Sequence, residues 1–193
     1  MHSAFQYNQY LLKRQVLALT GTIRLYNPSE QVVLYSRQKM FRLKEDIRVY
    51  SDESQAQELL YIQARQIIDF GAAYDIHDSL AQEKVGVLRR KGLRSLLRDE
   101  WEVLDASDRI IGRLFEDDPT RALLRRFLLG SLLPQNYDLW LGDTRAADLK
   151  QRFNLFRYEM DLDFQMDTQR LLDRRLGIAA GVLLAIIEGK QDS

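Results

Sequence analysis

The amino-acid sequence predicts a mainly β domain, a sandwich or barrel of about a dozen short antiparallel strands, followed by one apolar helix. Short runs of alternating apolar and polar residues recur over residues 10–166, with turn residues between them. Residues 176–187 instead contain no charged side chain, which is typical of a buried helix. Strands do not alternate with helices along the chain, and this disfavours a Rossmann-like fold.

The composition sets limits on the domain number and on the chemistry. A length of 193 residues with 46% hydrophobic residues predicts one folded domain over residues 1–193. The 28 basic and 28 acidic residues give a formal net charge of zero, so the bulk charge does not favour nucleic acid as a partner. The absence of Cys excludes a disulfide framework, a thiolate nucleophile and a Cys-ligated metal.

The strand predictions follow from alternation with a period of two. Residues 156–166 alternate without a break, which indicates a strand with one buried face and one solvated face. Shorter runs of the same kind occupy residues 21–26, 47–50 and 60–65. Turn residues at Asn27-Pro28 and at 105–108 join strand-like runs and predict hairpins.

Two segments depart from this alternation and predict helices. The first is a short amphipathic helix over residues 119–130, with Asp118 as its N-cap and Pro119 at its first position. The second extends over residues 168–188, with Thr168 as a candidate N-cap. Gly130 and Gly189 lie where the two helices are expected to end.

The apolar stretch at 176–187 has two interpretations, a membrane-spanning tail and a core helix. A span needs about 20 apolar residues, and this stretch is shorter, which favours the core helix. A barrel of about twelve strands encloses a lumen too wide for side chains alone to fill, and a helix can fill it. Gly177 and Gly181 would let the barrel wall approach that helix closely.

Two parts of the chain resemble a known family. Residues 74–116 contain the succession Y-D, VG-L-RRK, S, W-x-V-x-D and IG, and the residues LDF at 162–164 precede the apolar helix. They resemble LURP-one-related proteins, which belong with the phospholipid scramblases to the tubby C-terminal-like superfamily. The resemblance implies a closed antiparallel β-barrel around a hydrophobic C-terminal helix. Tubby domains of that superfamily bind phosphoinositides, while scramblases associate with membranes and respond to calcium.

Catalytic, cofactor and metal sites have little support in the sequence. His77, beside Asp75 and Asp78, is the one candidate general base, but no GxSxG motif accompanies it and a position in a surface turn explains it. Phosphate-binding motifs of the GxxxxGK[ST] and GxGxxG types are absent. A scramblase-like calcium site would retain only Asp161, Asp163 and Asp167. We therefore predict a protein that is not an enzyme and that uses no metal and no cofactor.

Clustered basic residues form the strongest candidate site. We predict that they bind an anionic ligand or an anionic phospholipid surface, and that the protein is cytoplasmic with a peripheral association with the membrane. The alternatives are a solvated face paired with Asp99, Glu100 and Glu102, and a protein-interaction or scaffold module without a small ligand. The candidate contacts are Arg89, Arg90, Lys91, Arg94, Arg98, Arg121, Arg125 and Arg126.

Overall fold

A computed structural model describes residues 1–15, 20–39, 46–65, 72–91, 100–116, 134–154 and 157–188 of the chain. Within these residues, twelve antiparallel strands close into a single barrel. Each strand pairs with its neighbours in the sequence, and β12 pairs with β1 to complete the closure. The predicted mainly β fold, a closed antiparallel barrel of about twelve strands, is therefore confirmed.

The strands are short, and their bounds agree with the alternation. The strand predicted at 156–166 corresponds to β12, although it ends at Asp163, where the chain turns toward the helix. The bounds are β1 Gln9–Gln15, β2 Thr20–Tyr26, β3 Val32–Lys39, β4 Ile47–Tyr50, β5 Glu58–Ala64, β6 Ala73–Asp78, β7 Glu83–Arg90, β8 Glu100–Asp105, β9 Ile110–Glu116, β10 Asn136–Leu141, β11 Thr144–Arg152 and β12 Arg157–Asp163.

One helix, α1 (Arg174–Glu188), fills the lumen of the barrel. Its residues 176–187 are all buried, and they pack against inward-facing side chains such as Leu12 of β1 and Met160 of β12. A short 3-10 helix, Ser3–Phe5, adds Phe5 to the same core. The prediction of a core helix is confirmed. In the described part of the chain, no helix has the length and apolarity needed to cross a membrane.

The start of the helix was predicted six residues too early. Residues 168–173 do not continue α1, because the carboxylate of Asp167 accepts hydrogen bonds from the N–H groups of Leu171 (2.8 Å) and Leu172 (3.1 Å). These side-chain contacts satisfy N–H groups that a helix would need, and they hold a turn instead. Asp173, rather than Thr168, accepts from the N–H of Arg175 (2.9 Å) and begins the helix. The other predicted helix, over residues 119–130, lies outside the described residues.

Two arginines at the start of α1 form ion pairs with acidic residues at one end of the barrel. Arg174 contacts Asp167 at 2.7 Å, and both side chains are almost completely buried. Arg175 contacts Asp78 (2.7 Å) and Glu83 (2.9 Å), which lie at the junction of β6 and β7. At the opposite end, Nη1 of buried Arg14 donates to the backbone oxygen of Ala185 at 2.5 Å. Both ends of the helix are thus bonded to the barrel wall.

Two glycines of α1 lie where the barrel wall approaches most closely. A Cβ atom at Gly177 would lie 2.4 Å from Cε1 of Phe164, and one at Gly181 would lie 2.8 Å from Cδ2 of Leu162. In an ordinary helix, Gly→Ala stabilises by about 0.5–1 kcal/mol. Here the added methyl groups must displace fully buried side chains, which costs about 1–3 kcal/mol.

We therefore expect Gly177→Ala and Gly181→Ala each to lower the free energy of unfolding, measured by urea denaturation. The sign of the change is the diagnostic result, since helix propensity alone predicts the opposite direction. A gain in stability in both variants would contradict the close approach of the helix to β12 and Phe164.

Candidate functional site

Two of the three described residues of the predicted basic cluster, Arg89 and Lys91, are already paired with acidic residues. Arg89 contacts Glu102 through Nε (2.7 Å) and Nη2 (2.5 Å), and Nζ of Lys91 lies 2.7 Å from Oε1 of Glu100. The partners face each other because β7 and β8 pair with Arg89 opposite Glu102. For these two residues, the observed contacts match the alternative of a solvated, paired face.

The alternation along β7 also separates the three basic residues. Arg89 and Lys91 share the outer face, whereas Arg90 lies opposite Trp101, which is buried in the core. Burial raises the pKa of the neighbouring Tyr74, and the positive charge of Arg90 opposes that shift. The three side chains therefore do not converge on one ligand.

The remaining candidates, Arg94, Arg98, Arg121, Arg125 and Arg126, lie outside the described residues. Their places in the chain are nevertheless informative. Residues 91–99 connect β7 to β8, and residues 117–135 connect β9 to β10. These four strands are consecutive antiparallel neighbours in the barrel, so the strand ends that the two connections join lie at the same end of the barrel.

The two ends of the barrel differ in the composition of the segments that connect the strands. At the end we call the polar end, the connections contain one leucine and no phenylalanine. At the opposite end, which we call the leucine-rich end, they contain thirteen leucines and five phenylalanines. The strand connections counted for the polar end are residues 27–31, 51–57, 79–82, 106–109 and 142–143, and those counted for the leucine-rich end are residues 16–19, 40–46, 65–72, 91–99, 117–135 and 153–156. Residues 164–173, which connect β12 to α1 at the polar end, contain Phe164, Leu171 and Leu172 in addition.

The isolated candidates for catalysis and calcium binding are engaged in structural contacts. Asp78 accepts from Arg175 and from the N–H groups of Leu80 and Ala81, and Asp75 is paired with Arg65 and Lys84. The expectation that His77 lies in a surface turn is wrong, because His77 belongs to β6, where its ring centroid lies 6.1 Å from that of Tyr61 on β5. Asp167 is bound to Arg174, and Asp161 is bound to Arg152. Among the described residues, no group of three or more His, Cys, Asp or Glu side chains could hold a metal ion.

A groove on the outer face near the polar end is a feature that sequence reasoning missed. It has a volume of about 540 Å³, and its lining includes Asp148, Asp161 and Asp163 on β11 and β12 together with Glu30 from the β2–β3 turn. Glu30 is far from the aspartates in the sequence, and the strand register brings Asp148 of β11 beside the two aspartates of β12. The sequence does indicate that the aspartates occupy the polar positions of alternating strands and so face outward. It does not indicate which residues of neighbouring strands lie beside them, because that depends on the strand register.

Comparison with known proteins yields no match, whether to a family model, a curated protein or a solved structure. The resemblance to LURP-one-related proteins thus stays a prediction, which rests on the residues quoted above.

Proposed function

We propose that this protein is a non-catalytic, LURP-one-like barrel that binds an anionic lipid surface with its leucine-rich end. The observation that carries the proposal is the contrast between the two ends of the barrel. Leucine and phenylalanine interspersed with arginine are typical of segments that lie at a membrane interface, where apolar groups enter the acyl region and basic groups meet the headgroups.

The basic residues of the two adjacent connections supply the electrostatic part of this binding. Arg94 and Arg98 belong to one connection, and Arg121, Arg125 and Arg126 belong to the other. A basic residue near an anionic surface contributes about 1 kcal/mol, and the contribution decays within a Debye length. Arg89 and Lys91 are expected to contribute less, because Glu102 and Glu100 already neutralise them.

The occupied lumen supports a surface role. Because α1 fills the interior of the barrel, a ligand would bind on the outer face or at an end. A protein that binds through its surface can associate peripherally with a membrane. Such a surface role agrees with the resemblance, which implies relatives that bind phosphoinositides or associate with membranes.

A second candidate function is a protein-interaction module that binds no small ligand. The ion pairs of Arg89 with Glu102 and of Lys91 with Glu100 favour it, because paired charges solvate a surface without attracting an anion. In that case a partner protein, rather than lipid, would cover the apolar connections.

Co-sedimentation with phosphatidylcholine vesicles, with and without phosphatidylserine, separates the two candidates. We expect binding that requires phosphatidylserine and weakens with salt. Replacing Arg121, Arg125 and Arg126 together by Gln should weaken the affinity by about a hundredfold, since each contributes about 1 kcal/mol.

The matched control removes three charges from the polar half of the barrel, at Arg24, Arg48 and Arg109, whose exposed ion pairs contribute little to stability. Equal weakening of vesicle binding in both triple variants would contradict binding through the leucine-rich end. Failure to bind vesicles in any lipid mixture and at any salt concentration would contradict lipid binding and favour the second candidate, the protein-interaction module.

A further inference from the structure

The polar end of the barrel exposes aliphatic side chains, although its strand connections contain few of them. Six large hydrophobic side chains are exposed in the described part of the chain, and four of them belong to neighbouring segments of this end. Their exposed fractions are between 37% and 57%. These four residues, which we call the aliphatic surface, are Leu80 of the β6–β7 turn, Ile110 and Ile111 at the start of β9, and Leu171 in the segment before α1.

Hydrogen bonds to two carboxylates hold the leucines of the aliphatic surface in fixed positions. The N–H of Leu80 donates to Oδ1 of Asp78 at 2.9 Å. The N–H of Leu171 donates to Oδ1 of Asp167 at 2.8 Å. These two carboxylates contact consecutive arginines at the start of α1. Both leucines are therefore anchored to the first turn of the same helix.

Two further contacts connect the isoleucines to the same region. Nζ of Lys84, which follows the β6–β7 turn, lies 2.7 Å from Oδ1 of Asp108 in the β8–β9 turn, and Asp108 is two positions before Ile110. The backbone oxygen of Ile111 accepts from the N–H of Gly142 in the β10–β11 turn at 3.3 Å. The aliphatic surface thus lies on one side of the polar end, along three neighbouring hairpins.

The two ends of the barrel carry opposite charge, although the chain as a whole is neutral. The connections of the polar end, with residues 164–173 included, contain seven acidic and two basic residues. Those of the leucine-rich end contain six acidic and nine basic residues. A partner of the polar end is therefore expected to be basic.

The negative charge is also found next to the leucines, where one guanidinium is shared by three carboxylates. Arg175 contacts Asp78 (2.7 Å), Glu83 (2.9 Å) and Asp173 (2.6 Å). Two negative charges of this group are not compensated within it, and the side chain of Glu83 is 55% exposed. Asp143 adds an exposed carboxylate in the β10–β11 turn. The aliphatic surface is thus bordered by accessible carboxylates.

The fold limits how a partner can cover this surface. Because the described strands close into a barrel, each has a neighbour on both sides, and no strand edge is available there for an added β-strand. An amphipathic helix is the other common way to cover exposed aliphatic side chains, since its apolar residues recur at intervals of three and four on one face. Basic residues beside that face would meet the carboxylates.

We propose that the aliphatic surface binds a basic amphipathic helix of a partner protein. Aliphatic side chains of the helix pack against Leu80, Ile110 and Leu171, and its lysine or arginine residues lie beside Glu83 and Asp143. The interaction does not depend on the proposed lipid binding, because the aliphatic surface and the leucine-rich end are at opposite ends of the barrel. With lipid at one end, the other end stays accessible to a protein.

Fluorescence anisotropy with a labelled model helix tests this proposal in the full chain. The probe is a peptide of about fourteen residues, or about four helical turns, with leucine on one face and lysine on the other. We expect saturable binding of one peptide per chain, weakened by about tenfold or more in the double variant Ile110→Ser/Leu171→Ser. Leu80→Ser is an independent second variant in a turn. The control Phe153→Ser removes a similarly exposed side chain from the leucine-rich end and should leave the affinity within about twofold.

Charge reversal tests the sign of the partner. Asp143→Lys places a positive charge beside the aliphatic surface and should weaken the binding of the leucine–lysine peptide severalfold at low salt, with a smaller effect at high salt. The control Glu30→Lys makes the same reversal in the β2–β3 turn, across the barrel from the β8–β9 turn, and should have little effect.

Urea denaturation of the free variants separates binding from folding, since replacement of exposed side chains should leave the midpoint unchanged. Absence of saturable binding would overturn the proposal, and so would equal affinity for a peptide with glutamate in place of lysine. Equal weakening in Phe153→Ser would overturn it by assigning the peptide to the leucine-rich end. Self-association of the natural chain in sedimentation velocity, abolished by Ile110→Ser/Leu171→Ser, would overturn it by assigning the aliphatic surface to a second copy.

Discussion

Truncation of the chain before Leu176 is expected to give a product that does not fold. The truncation removes seven large aliphatic side chains that are buried in the lumen, namely Leu176, Ile178, Val182, Leu183, Leu184, Ile186 and Ile187. Burial of each such side chain contributes about 1.5–3 kcal/mol. Their combined contribution is as large as the whole free energy of unfolding of a typical domain, about 5–15 kcal/mol. Without the helix, the twelve-stranded barrel would enclose a space that its own side chains could not fill.

Circular dichroism and size-exclusion chromatography of the truncated chain test this expectation, with Leu183→Ala in the full chain as the control. Leu183→Ala leaves the helix in place and should lower the free energy of unfolding by about 2–5 kcal/mol while the barrel persists. A truncated chain that is monomeric, rich in β-structure and cooperatively unfolded by urea would contradict the role of α1 as the core.

Replacement of Arg174 by Met is expected to cost about 3–5 kcal/mol of stability, the usual effect of removing one partner of a buried ion pair. Its Nη1 lies 2.7 Å from Oδ2 of Asp167, whose side chain is 1% exposed. Burial alone would raise the pKa of Asp167, but the hydrogen bonds from Arg174 and from the N–H groups of Leu171 and Leu172 hold that pKa below its usual value. Without Arg174, the carboxylate is left buried without its counter-charge.

Urea denaturation at neutral pH measures the cost, with Arg109→Gln as the control. Arg109 pairs with Asp105 on the surface, where its side chain is 79% exposed, so its loss should cost less than about 1 kcal/mol. In the variant that also carries Asp167→Asn, part of the loss should be recovered because the unpaired charge is removed. An Arg174→Met cost no larger than that of Arg109→Gln would show that the buried pair does not hold the start of α1.

The local structure of the barrel could be predicted because period-two alternation is a local signal. The alternation at 156–166 predicts β12, and the Asn27-Pro28 turn predicts the hairpin between β2 and β3. Closure could not be derived from the residues alone, because it depends on pairs such as Gln9 with Asp163, which are 154 positions apart. The start of the helix was predicted too early for a different reason. The carboxylate of Asp167 competes with helical hydrogen bonding over residues 168–173, and this competition is not visible in the apolar pattern.

The two surface sites differ in how far the sequence could predict them. The clustering of arginine can be read directly from the sequence. The possibility that Glu100 and Glu102 pair with the basic residues at the end of β7 can be read from it as well. The groove depends on the register of β1, β11 and β12, because a shift of one residue would turn Asp148 or Asp163 to the opposite face. The contrast between the ends required the topology, which assigns each connection to one end of the barrel.

The orientation of the barrel on a vesicle tests the proposed function most directly. Because the natural chain has no Cys, a single introduced thiol can carry an environment-sensitive fluorophore. Phe153→Cys labels the leucine-rich end, and Leu80→Cys labels the polar end, both at exposed apolar positions. We predict that vesicles containing phosphatidylserine shift the emission of the label at position 153 to shorter wavelength and leave that at position 80 unchanged. A shift at position 80 alone, or at neither position, would contradict the proposal that the leucine-rich end binds the membrane.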